Sequence, residues 1–101
     1  MVADSLAALH GPDSGTLELP LRLFWSGITD APAQFNLDTR YDALAAYQHI
    51  LGQARNPGDL MRYLNARLLE RLWPYLRLPL MVREAWESAH PALRSAAVAA
   101  A

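Results

Sequence analysis

Positions 16–25, 26–38 and 39–51 read TLELPLRLFW, SGITDAPAQFNLD and TRYDALAAYQHIL, and the change of period between the first run and the last decides the fold. In the first run Leu17, Leu19, Leu21, Leu23 and Trp25 alternate with Glu18, Pro20, Arg22 and Phe24, the period-two signature of a strand with one buried face. Pro20 has no N–H to give to a ladder, which places that side of the strand at a sheet edge. Residues 26–32 are turn-forming, and Phe35 and Leu37 then flank Asn36 in a second, shorter alternation. The two runs predict a β-hairpin over 17–37. A hairpin is marginal by itself and needs a helix, or a partner's sheet, against its apolar face.

From Asp38 the period becomes 3.6. Asp38 or Thr39 is placed to cap a helix, with Thr39 and Asp42 at capping-box spacing. Leu44, Tyr47, Leu51 and Ala54 form its apolar stripe, flanked by Ala43 and Ile50, with Asp42, His49 and Gln53 opposite. The run Arg55, Asn56, Pro57 stops this helix and starts another, since Asn56 is a cap, Pro57 suits the first helical position and Asp59 lies at the positive helix end. Leu60 and Leu64 point inward from it. Asn65 caps a third helix with Leu68, Leu69, Leu72, Trp73 and Leu76 on one side, ended or kinked by Pro74. A fourth runs from Pro79 toward His90, with Val82, Ala85, Trp86 and Ala89 inside and an Arg83 to Glu87 pair at i,i+4 outside.

The sequence therefore predicts a mainly helical α+β domain, an N-terminal β-hairpin packed on a bundle of four short helices. Residues 1–16 are expected to be a flexible lead, 17–93 the single folded domain with Trp73 and Trp86 buried against the Leu44, Tyr47 and Leu51 stripe, and 94–101 a fraying tail. A domain of that size buries only about 60–65 % of its unfolded surface, so a bound partner matters to its stability.

Composition narrows the function. All 9 basic residues are arginine, against 10 acids, for a net charge of −1, while leucine and alanine each occur 18 times. There is no global positive field for nucleic acid. With no cysteine, neither a disulfide framework nor a thiolate metal site is available, which favours a cytoplasmic setting. The hydrophobic runs are broken by Pro or Arg well before membrane-spanning length, and no export segment is read.

Chemistry-bearing motifs are missing. His10, His49 and His90 stand at no metal-ligand spacing, and there is no nucleophile elbow, glycine-rich phosphate loop or zinc-protease motif. Ser26 before Gly27 reads as a turn serine, and Asp38 with Asp42 as capping residues. The expectation is a protein that is not an enzyme and has no catalytic, cofactor-binding or metal-binding residues. What remains is surface. Arg55, Arg62, Arg67, Arg71, Arg77 and Arg83 crowd the second half, and Trp25, Tyr63 and Tyr75 lie off the apolar stripes. Arg, Trp and Tyr are the residues that anchor protein interfaces, so Trp25, Tyr63, Arg67, Arg71 and Tyr75 are the candidate partner-binding residues. The alternative is a small DNA-binding transcriptional regulator using the arginine-bearing helices, although Asp59, Glu70, Glu84 and Glu87 lie among the bases.

Five segments, LFWSG at 23–27, FNLD at 35–38, DLMRYLN at 59–65, LWPYLRLP at 72–79 and VREAWE at 82–87, resemble a family of small actinobacterial antitoxin-like proteins. These are encoded beside nucleotidyltransferase-like toxins of the abortive-infection type. The likeness spans residues 19–90 and is strongest in LWPYLRLP and VREAWE. It implies a non-catalytic, protein-binding antitoxin that neutralises the toxin by direct contact, and it brings no catalytic residue with it.

Overall fold

The computed structural model describes residues 2–20, 33–54 and 56–100. Strand β1, Thr16–Leu19, pairs antiparallel with β2, Ala33–Asn36, in a register that sets Leu17 opposite Phe35 and Leu19 opposite Ala33. Five α-helices follow: α1 Arg40–Gln53, α2 Pro57–Tyr63, α3 Ala66–Leu72, α4 Leu80–Ala89 and α5 Pro91–Ala100. The mainly helical chain with an N-terminal hairpin is the architecture that the change of period implies. The upper part of the expected first strand, 21–25, and the loop 26–32 lie outside the described residues.

The alternation works as read: Leu17, Leu19, Phe35 and Leu37 are buried on one face, and Thr16, Glu18, Gln34 and Asn36 are exposed on the other. Gly15 begins the hairpin in the left-handed region at φ +76°, where a side chain is strained. Its carbonyl accepts the Leu37 N–H at 2.7 Å and its own N–H reaches Asp38 Oδ1 at 3.2 Å. That engagement changes the expected capping of α1. Thr39 occupies the cap position without a side-chain hydrogen bond, because Asp38 is turned to Gly15 and Asp42 Oδ2 accepts the Asn36 N–H at 3.0 Å. The two carboxylates fasten the hairpin to the helix instead of closing a capping box.

Helix α1 packs on β2, α2 and α3, but its buried face is Ala43, Ala46, Tyr47, Ile50 and Leu51, with Leu44 only half-buried. Small alanines let neighbouring backbones approach, so the face is rotated toward Ala46 from the stripe of larger residues. Tyr47 is fully buried, and its Oη accepts the Asn65 N–H at 2.9 Å. Burial pushes its phenol up from 10.0 to about 12, more strongly than the Asn65 N–H pulls it down. Below pH 10 the phenol is neutral in both states. Between about 10 and 12 the unfolded chain gives up this proton while the folded chain holds it, so stability falls as the pH rises through that window, by about 2–3 kcal/mol across it. Denaturant midpoints measured from pH 9 upward should show this loss, and Tyr47→Phe should flatten that part of the profile.

The signals for α2 and α3 are obeyed. Asn56 Oδ1 accepts the Asp59 N–H at 3.0 Å, with Pro57 at the start of the helix, and Asn65 Oδ1 accepts the Leu68 N–H at 3.2 Å. Beyond Leu72 the chain tightens into a 3-10 turn, Trp73–Tyr75, at Pro74.

Helix α4 departs from its expected orientation. Trp86 is its buried residue, while Ala85 and Ala89 are exposed and Val82 half-buried. The Arg83 to Glu87 pair, expected outside, is turned inward with side-chain exposures of 21 % and 14 %. Arg83 donates through Nη2 to the carbonyls of Trp73 at 3.0 Å and Leu76 at 2.6 Å, stacks 4.9 Å from the centre of the Trp73 ring and pairs with Glu87 at 3.4 Å. Glu87 Oε2 accepts the Trp73 Nε1–H at 2.9 Å, and its other oxygen lies 3.8 Å from Arg94 of α5. This arrangement ties LWPYLRLP to VREAWE, so the segments that carry the resemblance are also a structural lock.

Trp73 and Trp86 are fully buried as expected, with ring centroids 6.4 Å apart. The main helical neighbour of α4 is α5, whereas those of α1 are α2 and α3, and the two tryptophan rings lie against each other. Residues 91–100, which include most of the expected fraying tail, form a helix that buries Leu93 completely while Val98 stays exposed. The opening segment also joins the core. Ala3 and Leu9 are buried, Leu6–Ala8 form a 3-10 turn, and the Ala3 carbonyl lies 2.6 Å from Nε2 of the buried His90. A carbonyl only accepts, so that nitrogen carries the proton.

Candidate functional site

Arg67 and Arg71 stand one turn apart on the solvent side of α3, and both are exposed. They are held there because Leu68, Leu69 and Leu72 of the same helix are buried. Neither has an ion-pair partner among the described residues, in contrast to Arg83 and Arg94, which converge on Glu87. Tyr75, 48 % exposed, lies just past α3, and the Arg40 guanidinium sits 4.7 Å above its ring. Arg67, Arg71 and Tyr75 therefore lie on one helix and the turn that follows it, and Arg40, not anticipated from the sequence, is added from the start of α1.

Two adjoining clefts open at this surface, each of about 370 Å³ and sharing Asp13 and Arg71. One is rimmed by Asp13, Ser14, Asp38, Arg40 and Arg71; the other lies among Asp13, Arg67, Glu70 and Arg71. The turn at 13–14 supplies a wall that sequence reading assigned to a flexible lead. Only the clamping of Gly11 and Gly15 to later residues, which no local pattern announces, puts it here.

Tyr63 does not belong to the surface. It is 8 % exposed, because the backbone of Gly11 lies directly against its main chain and the opening segment covers the end of α2. Trp25 lies outside the described residues. His49, expected to be solvated, is half-buried with its ring 6.0 Å from Phe35, and burial lowers its pKa below 6.5. Among the described residues no group of three His, Asp or Glu is placed to hold a metal ion, and no helix is long and apolar enough to cross a membrane.

Comparison of the chain with protein families, curated proteins and solved structures finds no match.

Proposed function

We propose that this protein is a non-catalytic, cytoplasmic antitoxin that neutralises a nucleotidyltransferase-like toxin by direct contact through the α3 surface. The observation that carries the reading is the division of labour among the arginines. Arg83 is engaged inside the fold and the exposed Arg94 reaches Glu87, whereas Arg67 and Arg71 lie exposed and, among the described residues, without ion-pair partners, on the helix that precedes the half-exposed Tyr75. Exposed arginines and tyrosines are among the anchors around which interface energy concentrates. Two arginines one turn apart suit a carboxylate-bearing surface such as the metal-holding acids of a nucleotidyltransferase. The resemblance of LWPYLRLP and VREAWE supports the same reading. DNA binding is disfavoured by the net charge of −1, which gives no overall field to draw in a phosphate backbone.

The test is coexpression with the candidate toxin. Reversing both charges, Arg67→Glu with Arg71→Glu, should weaken the complex by about 2 kcal/mol or more and restore toxicity, with thermal melting unchanged because neither side chain contributes to the core. A double variant that still neutralises the toxin as tightly as the parent would move the interface elsewhere.

A further inference from the structure

The half-buried Asn65 joins three parts of the fold. Its N–H donates to Tyr47 Oη of α1 at 2.9 Å, its Oδ1 accepts the Leu68 N–H in the first turn of α3 at 3.2 Å, and its Nδ2 donates to the Gly11 carbonyl at 3.1 Å. The first two bonds fix where α3 begins. The third reaches 54 positions back along the chain, to the opening segment. That segment is also held by the His10 N–H on the Met61 carbonyl at 2.9 Å and by the Gly11 N–H on the Leu64 carbonyl at 2.8 Å.

The oxygen and nitrogen of an asparagine amide are rigidly joined and turn together about one broad torsion. With Nδ2 anchored on the Gly11 carbonyl, the amide is held in the orientation that aims Oδ1 at the Leu68 N–H. Without that anchor it is free to turn, and water competes for the Leu68 N–H. Helix α3 has only 7 residues, Ala66–Leu72, so its first turn is about half of it, and Arg67 lies in that turn. Asp13 and Ser14, which wall the clefts beside Arg71, follow Gly11 after a single residue. Docking of the opening segment therefore bears on the α3 surface twice, through the cap and through the wall.

Resting on the reading above for the surface it governs, but not for the coupling itself, we propose that the opening segment is a regulatory strap whose state Asn65 transmits to α3. Docked, the strap orients the amide that caps α3 and brings the turn at 13–14 beside Arg67 and Arg71. Released, it leaves the first turn of α3 to fray and removes that wall. The coupling is reciprocal: whatever holds the first turn of α3 in place also favours the docked strap.

The test needs no partner. Gly11→Ala releases the strap, because its Cβ would stand 2.5 Å from the Tyr63 carbonyl carbon. Asn65→Asp keeps an equally good capping oxygen for the Leu68 N–H but removes the donor to Gly11, so α3 is capped whatever the strap does. Hydrogen exchange of the full chain is followed by NMR at the amides of His10, Leu68 and Ile50. In Gly11→Ala the His10 and Leu68 amides should both exchange about fivefold faster or more, the effect of losing a helix cap, while Ile50 is unchanged. In Asn65→Asp, with or without Gly11→Ala, His10 should exchange faster and Leu68 should keep the parent's rate. Should Gly11→Ala not fold, His10→Pro, which removes only the N–H that Met61 accepts, is the milder release, with the Gly11 amide reporting the strap. Released strap amides beside a Leu68 amide as protected as the parent's overturn the proposal. So does a Leu68 amide that speeds up as much in the double variant as in Gly11→Ala, because α3 then senses the strap by a route other than Asn65. A toxin experiment that fails leaves these rates readable, since they report on the chain alone.

Discussion

Trp86→Ala should unfold the protein or bring it close to unfolding at 25 °C. Trp86 is completely buried, against the Trp73 ring and with the His90 ring 5.7 Å away. Truncating such a residue costs about 3–5 kcal/mol, against a total of about 5–15 kcal/mol for a domain of ordinary stability. The phenylalanine variants separate packing from hydrogen bonding. Trp86 Nε1 is buried and finds no partner among the described residues, so Trp86→Phe removes an unsatisfied donor whose burial costs about 1–3 kcal/mol, offsetting much of the lost contact. Trp73 Nε1 donates to the Glu87 carboxylate, and Trp73→Phe removes that charge-assisted bond, about 1.5–3 kcal/mol, from the group that also holds Arg83 and Arg94. Denaturant midpoints should therefore rank the parent above Trp86→Phe, then Trp73→Phe, with Trp86→Ala lowest. If Trp86→Phe proves more damaging than Trp73→Phe, the inward position of Glu87 is wrong.

That ordering turns on a feature the sequence conceals. Arg83 and Glu87 at i,i+4 have the spacing of a solvated surface pair, and local pattern offers no reason to turn them inward. The reason lies upstream, where Pro74 tightens the chain into a 3-10 turn closed by the Leu76 N–H on the Trp73 carbonyl at 3.3 Å, which leaves the Leu76 carbonyl and the second lone pair of the Trp73 carbonyl to be met by a donor from elsewhere. The start of α2 and the start of α3 were legible because an asparagine cap acts on an N–H three residues away, within the reach of sequence. The hairpin was legible because one face is buried and the side-chain period is two.

The buried face of α1 was harder to read. A stripe chosen by side-chain size favours Leu44 over Ala46, yet close approach to other backbones favours the alanines. At the candidate site, the exposure of Arg67 and Arg71 followed from the buried leucines on the same helix. Arg40 and the turn at 13–14 did not, because they reach α3 through long-range contacts. Tyr63 was misplaced for the same reason, since its cover comes from residues more than fifty positions earlier in the chain.

Gly11→Ala should release the opening segment and expose Tyr63. A Cβ at this position would stand 2.5 Å from the Tyr63 carbonyl carbon, 2.6 Å from its oxygen and 2.9 Å from the Arg62 oxygen. All three are backbone atoms of α2, which cannot rotate aside as a side chain does, so the strand of chain at 10–11 must move. Moving it breaks the bond from the Gly11 N–H to the Leu64 carbonyl at 2.8 Å and that from the His10 N–H to the Met61 carbonyl at 2.9 Å, and frees Asn65 Nδ2 from the Gly11 carbonyl. Leu9 and Ala3 then lose their cover, and the expected loss is about 3 kcal/mol. Gly52→Ala is the matching control. It meets nothing within 4 Å and lies in α1, so it should stabilise the helix by about 0.5–1 kcal/mol. Hydrogen exchange distinguishes local release from global unfolding: in Gly11→Ala the amides of residues 9–11 should lose protection while those of Leu69 and Ile50 keep theirs. Protection at residue 10 equal to the parent's would show that the opening segment is not clamped where the structure places it.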